Sequence, residues 1–175
     1  RAVFSLENGK QHAELVYSVL PRNAYLDKPF PAGTLGVDAP LHDDKWVAML
    51  KKANIHWVIN KHYGRWYIVE PQQGDLVTFD AEMKRGQRLG MSIVMQTLNP
   101  DWGRQEWLKP FYPQPGRKTW DAESYKKFCQ LFESLHFRLA SHYKPWIKYW
   151  EIENEPNAGG FPLGSYPGML EAAYK

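Results

Sequence analysis

From residue 35 onward, short apolar runs alternate with amphipathic helical patterns, and this alternation restricts what the chain can fold into. Residues 34–37, 55–59, 91–98 and 147–153 read as strands. Between the first two, Asp43 and Asp44 open a helix in which Trp46, Met49, Leu50 and Ala53 follow helical spacing. Acids at its start and Lys51-Lys52 at its end suit the helix dipole, and Asn54 is the expected stop. Asp80 is expected to cap a second helix running to about Leu89, with Gly90 as its terminator. Asp121 is expected to cap a third, whose core stripe is Tyr125, Phe128, Cys129, Phe132, Leu135 and Leu139. Residues 169–175 begin a fourth. Near-continuous apolar strands, each followed by a helix, imply a parallel sheet with helices outside. The expectation is an α/β fold, the first half of a (β/α)8 TIM barrel (strands 1–4), in residues 35–175.

Residues 1–34 read differently. Residues 13–20 have the β-rich look of a strand, preceded by the turn signal Asn8-Gly9. Pro21, Pro29, Pro31 and Gly33 then suggest a linker or surface loop. The segment is expected to be the last hairpin of an upstream β-domain or a cap on the barrel. In the barrel portion, the segment through Tyr63, Trp66, Pro71 and Gly74 reads as a long loop, as does 99–118, which holds four prolines.

Composition excludes several functions. A net charge of +3 with scattered charges and no Lys/Arg block gives no case for nucleic acid. No apolar run nears the roughly 20 residues of a membrane span. The single cysteine, Cys129, cannot form an intrachain disulfide and reads as a small core residue. No His/Cys/Asp grouping has metal-ligand spacing and no phosphate loop is present, so neither metal nor cofactor is expected. The anomaly is 15% aromatic residues, with eight Trp, which suits a core together with a sugar-stacking surface.

The fourth strand carries the chemistry: Trp150-Glu151-Ile152-Glu153-Asn154-Glu155-Pro156-Asn157. Three carboxylates are costly in a core and tolerable for function at the C-terminal rim of a barrel. Pro156 cannot donate to the ladder, so the strand ends just after Glu155. A regular strand sends neighbours to opposite faces, so Asn154 and Glu155 share a pocket only if the strand end is irregular.

This stretch resembles the strand-4 signature of clan A glycoside hydrolases, families 39 and 5 most closely. Ala53-Asn54-Ile55-His56-Trp57-Val58 is similar to the entry to strand 2, and Val69-Glu70-Pro71-x-x-Gly74 with Phe79-Asp80 to the loop and helix after it. Leu98-Asn99-Pro100-Asp101-Trp102 is similar to the end of strand 3. The resemblance implies a retaining glycosidase acting on an oligo- or polysaccharide, with Glu155 as general acid/base. It also implies that Asn154 hydrogen-bonds the sugar 2-hydroxyl. Trp102, His62 and Trp66 follow strand ends and are candidates to line sugar subsites.

Two departures stand out. Many clan members carry an Arg at the end of strand 2, where this chain has Ile59 and Asn60. The nucleophile belongs on a seventh strand, and no glutamate here takes that role. The chain is therefore expected to belong to a longer polypeptide that supplies the remainder of the barrel, and to be inactive alone. Glu151 suits either support of the site or an ion pair inside the barrel. Glu70, His56 and His136 read as structural. Two other readings stay open: a non-catalytic carbohydrate-binding relative, and an unrelated (β/α) barrel enzyme.

Overall fold

The computed structural model describes residues 2–8, 11–17, 36–53, 55–97, 105–111, 120–154, 156 and 163–175 of the chain. Strands β1 (Ala2–Asn8) and β2 (Gln11–Tyr17) form an antiparallel hairpin in which Asn8 faces Gln11. The Asn8-Gly9 signal falls between the two strands, and β2 runs over Gln11–Tyr17 where 13–20 was expected. The proline-rich stretch and Asn54 lie outside the described residues.

Strands β3 (Gly36–Asp38), β4 (Trp57–Asn60), β5 (Ser92–Thr97) and β6 (Tyr149–Ile152) form one sheet in sequence order. Every pairing is parallel, with Val37 beside Val58, Ile59 beside Val94, and Gln96 beside Glu151. Helices α1 (Asp44–Lys52), α3 (Asp80–Arg88), α4 (Ala122–Tyr143) and α5 (Tyr166–Tyr174) follow the successive strands. Four parallel strands alternating with helices in this order are the arrangement of the first half of a (β/α)8 barrel.

The helix ends follow local chemistry. Asp43 caps α1 through Lys45 N at 2.7 Å, and Asp121 caps α4 through Ser124 N at 2.9 Å. Gly90 stops the second helix in the left-handed region, at φ 75°. Asp80 is not a cap: Phe79 holds that position, and Asp80, in the first turn, meets His142 Nε2 at 2.6 Å. The stripe read on α1 is also corrected. Val47 and Leu50 are buried, whereas Trp46 and Met49 are 38% and 53% exposed. Leu50 belongs both to the stripe as read and to the buried face, which carries Val47 instead.

The segment after β4 is folded rather than an open loop. A 3-10 turn, His62–Gly64, leads into α2 (Trp66–Val69). Asn60 Oδ1 accepts from Tyr63 N at 3.0 Å and starts the turn. Gly64 lies against the end of β5, where a Cβ would come within 1.9 Å of Gln96 O. No side chain fits there, so glycine is required by close approach.

Glu70 holds the next part together. Its carboxylate accepts from Trp66 Nε1 at 2.7 Å and Gly74 N at 2.8 Å, and pairs with Arg138 of α4. Its carbonyl accepts from Gln105 Nε2 at 2.7 Å. Glu70 is 3% exposed, and its buried charge is tolerable because each of these donors is in place. Glu70 is structural, as expected.

The core lies between the sheet and the helices. Val58, Ile93 and Met95 from the strands meet Leu50, Met83, Phe132, Leu135 and Leu139 from the helices. Part of the aromatic excess is spent here: Trp66 packs 5.5 Å from both Phe128 and Phe132, and Trp120 packs 5.0 Å from Phe128. Among the described residues, no helix is long and apolar enough to cross a membrane.

Candidate active site

Alternation along each strand sorts the sheet into a helix-facing side and an inner side. A Cβ on Gly86 of α3 would meet Ile93, so Ile93, Met95 and Thr97 face the helices, and Val94 and Gln96 face inward. By register, Trp57 and Ile59 of β4 and Tyr149 and Glu151 of β6 share that inner side. The rings of Trp57 and Tyr149 meet edge-on at 4.9 Å near its lower end.

Polar groups gather toward the C-terminal ends of the strands. Gln96 Nε2 donates to Glu151 Oε1 at 2.6 Å across adjacent strands. Lys61, just after β4, places its ammonium 3.6 Å from Asp38 at the end of β3. Ile59 and Asn60 close β4, so no Arg occupies that slot, as the sequence indicated. Among the described residues, Glu151 is paired with the Gln96 amide rather than with a cation.

The exit of β6 is irregular, and it comes earlier than the end just after Glu155 that the sequence suggested. The strand ends at Ile152, and Glu153 turns into the left-handed region at φ 72°. That is unfavourable backbone for a residue other than glycine. Glu153 N donates to Thr97 O at 2.7 Å, and Asn154 N donates to Glu153 Oε1 at 3.1 Å. Strict alternation stops at Glu153, so it does not force Asn154 and the next residue onto opposite faces. Asn154 is exposed at this rim. Glu155 and Trp102 lie outside the described residues.

Of the other two candidates, His62 is exposed in the turn after β4, its ring 5.2 Å from Tyr63 and 6.3 Å from Phe79. Trp66 is a correction: it is 0% exposed, sits among Phe128, Phe132 and Trp107, and spends its indole N–H on Glu70. A sugar cannot reach it. Its position beyond a strand end resembled that of a subsite residue, but α2 turns it into the core.

His136 is buried on α4, as a structural histidine should be. Its Nδ1 lies 2.8 Å from Phe132 O and its Nε2 2.8 Å from Thr97 Oγ1. The carbonyl can only accept, so Nδ1 carries the proton and Nε2 accepts from the Thr97 hydroxyl. Burial holds this imidazole neutral, with its pKa lowered to about 4. Gln96, Thr97 and Tyr166 were not singled out from the sequence. The available signal was two polar residues closing the otherwise apolar run Ile93-Val94-Met95.

No family model matches the chain, and no curated protein matches its sequence. Solved structures do match its shape. A GH10 xylanase from Bispora sp. MEY-1, with xylobiose, aligns at TM-score 0.54 and 13% identity over 80% of this chain and 46% of its own. An intracellular xylanase from Thermoanaerobacterium saccharolyticum, with xylotriose, aligns at TM-score 0.50 and 16% identity over 89% and 53%. A β-galactosidase from the psychrophilic Marinomonas ef1 aligns at TM-score 0.52 and 18% identity over 72% and 22%. The chain thus spans about half the length of the two xylanases and about a fifth of the β-galactosidase. At these identities the likeness establishes the fold alone: four consecutive β/α units of a (β/α) barrel.

Proposed function

We propose that this chain is the N-terminal half of a retaining glycoside hydrolase barrel of the clan A type, acting on an oligo- or polysaccharide. The observation that carries the reading is the exit of β6. A parallel strand ends in a left-handed turn at Glu153, at the end of the sheet where barrel active sites are built, and Asn154-Glu155-Pro156 comes next in the sequence. The fold shared with two xylanases and a β-galactosidase supports it.

In this reading Glu155 protonates the departing glycosidic oxygen and then deprotonates the incoming water. Asn154 donates to the sugar 2-hydroxyl. A second carboxylate, about 5–5.5 Å away in a retaining enzyme, attacks the anomeric carbon from a later strand of the longer polypeptide. Trp102 and His62 line sugar subsites. Residues 1–34 form a β-rich segment outside the barrel.

The test is Glu155→Gln in the polypeptide that carries the completed barrel. A panel of xylo- and cello-oligosaccharides and nitrophenyl glycosides first identifies the sugar cleaved. Loss of the acid is expected to slow hydrolysis of the unactivated oligosaccharide by roughly 100-fold or more. Unchanged hydrolysis overturns the assignment.

A further inference from the structure

We propose that Tyr166, Thr97 and Gln96 are positioning residues that hold the exit of β6 in its left-handed turn and so aim Asn154-Glu155. This deepens the proposed function and rests on it. A non-glycine residue at φ 72° persists only where its surroundings over-determine it, and such strain gathers at functional sites. Here the surroundings can be named.

Tyr166, on the first turn of α5, donates its hydroxyl to Ile152 O at 2.8 Å, the carbonyl just before the turn. Burial, reinforced by the carboxylates of Glu153 and Glu151, raises its pKa, so it remains a donor. Its own position is fixed from α4: Tyr125 donates to Ser165 O, and Gly168 lies so close that a Cβ would come within 2.2 Å of the Tyr125 hydroxyl.

Thr97 acts from the opposite side. Its carbonyl accepts from Glu153 N at 2.7 Å, and its hydroxyl is committed to His136 Nε2 at 2.8 Å, tying the end of β5 to α4. Glu151 O, at 3.4 Å from the same hydroxyl, is the weaker acceptor. Gln96 holds the inner side through Glu151 Oε1 at 2.6 Å, with Glu153 O at 3.4 Å from the same amide nitrogen. Residues 151, 152 and 153 are thus each held by a group from another element.

None of the three need touch the sugar. Each acts through residues 151–153 that lead to Glu155, and displacements of about 1 Å at a reacting group can cost about 100-fold in rate. The signature of misplacing the acid differs from that of general damage. An unactivated glycoside needs a proton on its leaving oxygen, whereas a dinitrophenyl glycoside does not.

The experiment uses the complete polypeptide with Tyr166→Phe, Thr97→Val, Thr97→Ser and Glu155→Gln. The first two are expected to lower kcat on the unactivated oligosaccharide about 10- to 100-fold with KM within about twofold. Their kcat/KM for the dinitrophenyl glycoside of the same sugar should stay within about threefold, and Thr97→Ser should restore the Val loss. Amide exchange at Glu153, followed by NMR, should accelerate in Tyr166→Phe and Thr97→Val while the centre of β5 keeps its protection. If Glu155→Gln is inactive but Tyr166→Phe and Thr97→Val leave activity and exchange unchanged, or lower both substrates equally, the positioning roles are wrong and the proposed function stands. If Glu155→Gln remains fully active, both fall together. Should Thr97→Val fail to fold, Tyr166→Phe, which removes one hydroxyl, decides the matter.

Discussion

The two faces of the four-stranded sheet are built from the same strands and do opposite things. The helix side presents Val58, Ile93 and Met95, each at most 2% exposed, to a continuous layer of Phe, Leu and Met. The inner side presents Glu151, Gln96 and Tyr149, and Tyr149 is 52% exposed. Apolar burial is what stabilises a domain. A carboxylate paired with one amide exchanges water for a partner, so its net contribution is about 3 kcal/mol at most. The difference teaches that this chain keeps its stability on one face and its chemistry at the end of the other. Thr97 joins them: its side chain lies on the helix side with His136, and its carbonyl holds the turn at Glu153.

The contrast can be broken most directly at Phe132, which is 1% exposed and contacts Trp66, Phe128 and His136. Phe132→Ala is expected to lower unfolding free energy by about 3–5 kcal/mol, read from urea denaturation. A loss below about 1 kcal/mol would show that the helix side is not the stabilising face.

His136 provides an intermediate effect with a defined sign. Folding lowers its pKa from the usual 6.5 to about 4, so as pH falls the unfolded chain takes up this proton first. Its contribution is full above about pH 6.5 and declines between 6.5 and 4, by about 3 kcal/mol in total. His56, also lowered to about 4, titrates in the same window, so the comparison is between the native chain and His136→Gln. The variant should lose part of the acid slope of its melting temperature. Identical slopes would place the proton elsewhere.

The smallest effect is expected on the inner side. Glu151→Gln keeps an acceptor for Gln96 Nε2, and unfolding free energy should change by less than about 1 kcal/mol. A loss comparable to that of Phe132→Ala would mean that the inner pair carries stability after all.

Much of the fold was legible in local chemistry. Asp43, Asp121 and Gly90 act at helix ends where the sequence placed them, because a cap or stop depends on only a few neighbouring residues. The core stripe of α4 was legible because 22 residues repeat the helical period many times. The nine residues of α1 do not, and the apolar face was read one stripe away. The site was legible to a lesser degree. The Asn154-Glu155-Pro156 motif and the need for an irregular strand end could be read, while the residues that hold that end could not. Thr97 lies 39 positions from His136, and Gln96 lies 55 from Glu151, so no local pattern joins them.

The sequence by itself determined the alternation of strands and helices, the parallel sheet it implies, and the place in the chain where carboxylates gather. These follow from period, caps and prolines, which act over a few residues. Only the tertiary structure decided that Trp66 is core rather than surface, that Glu70 gathers four donors, and that the departure from extended backbone falls on Glu153. Each depends on partners brought together by packing. A buried charge or a strained backbone angle is tolerable only where those partners meet it.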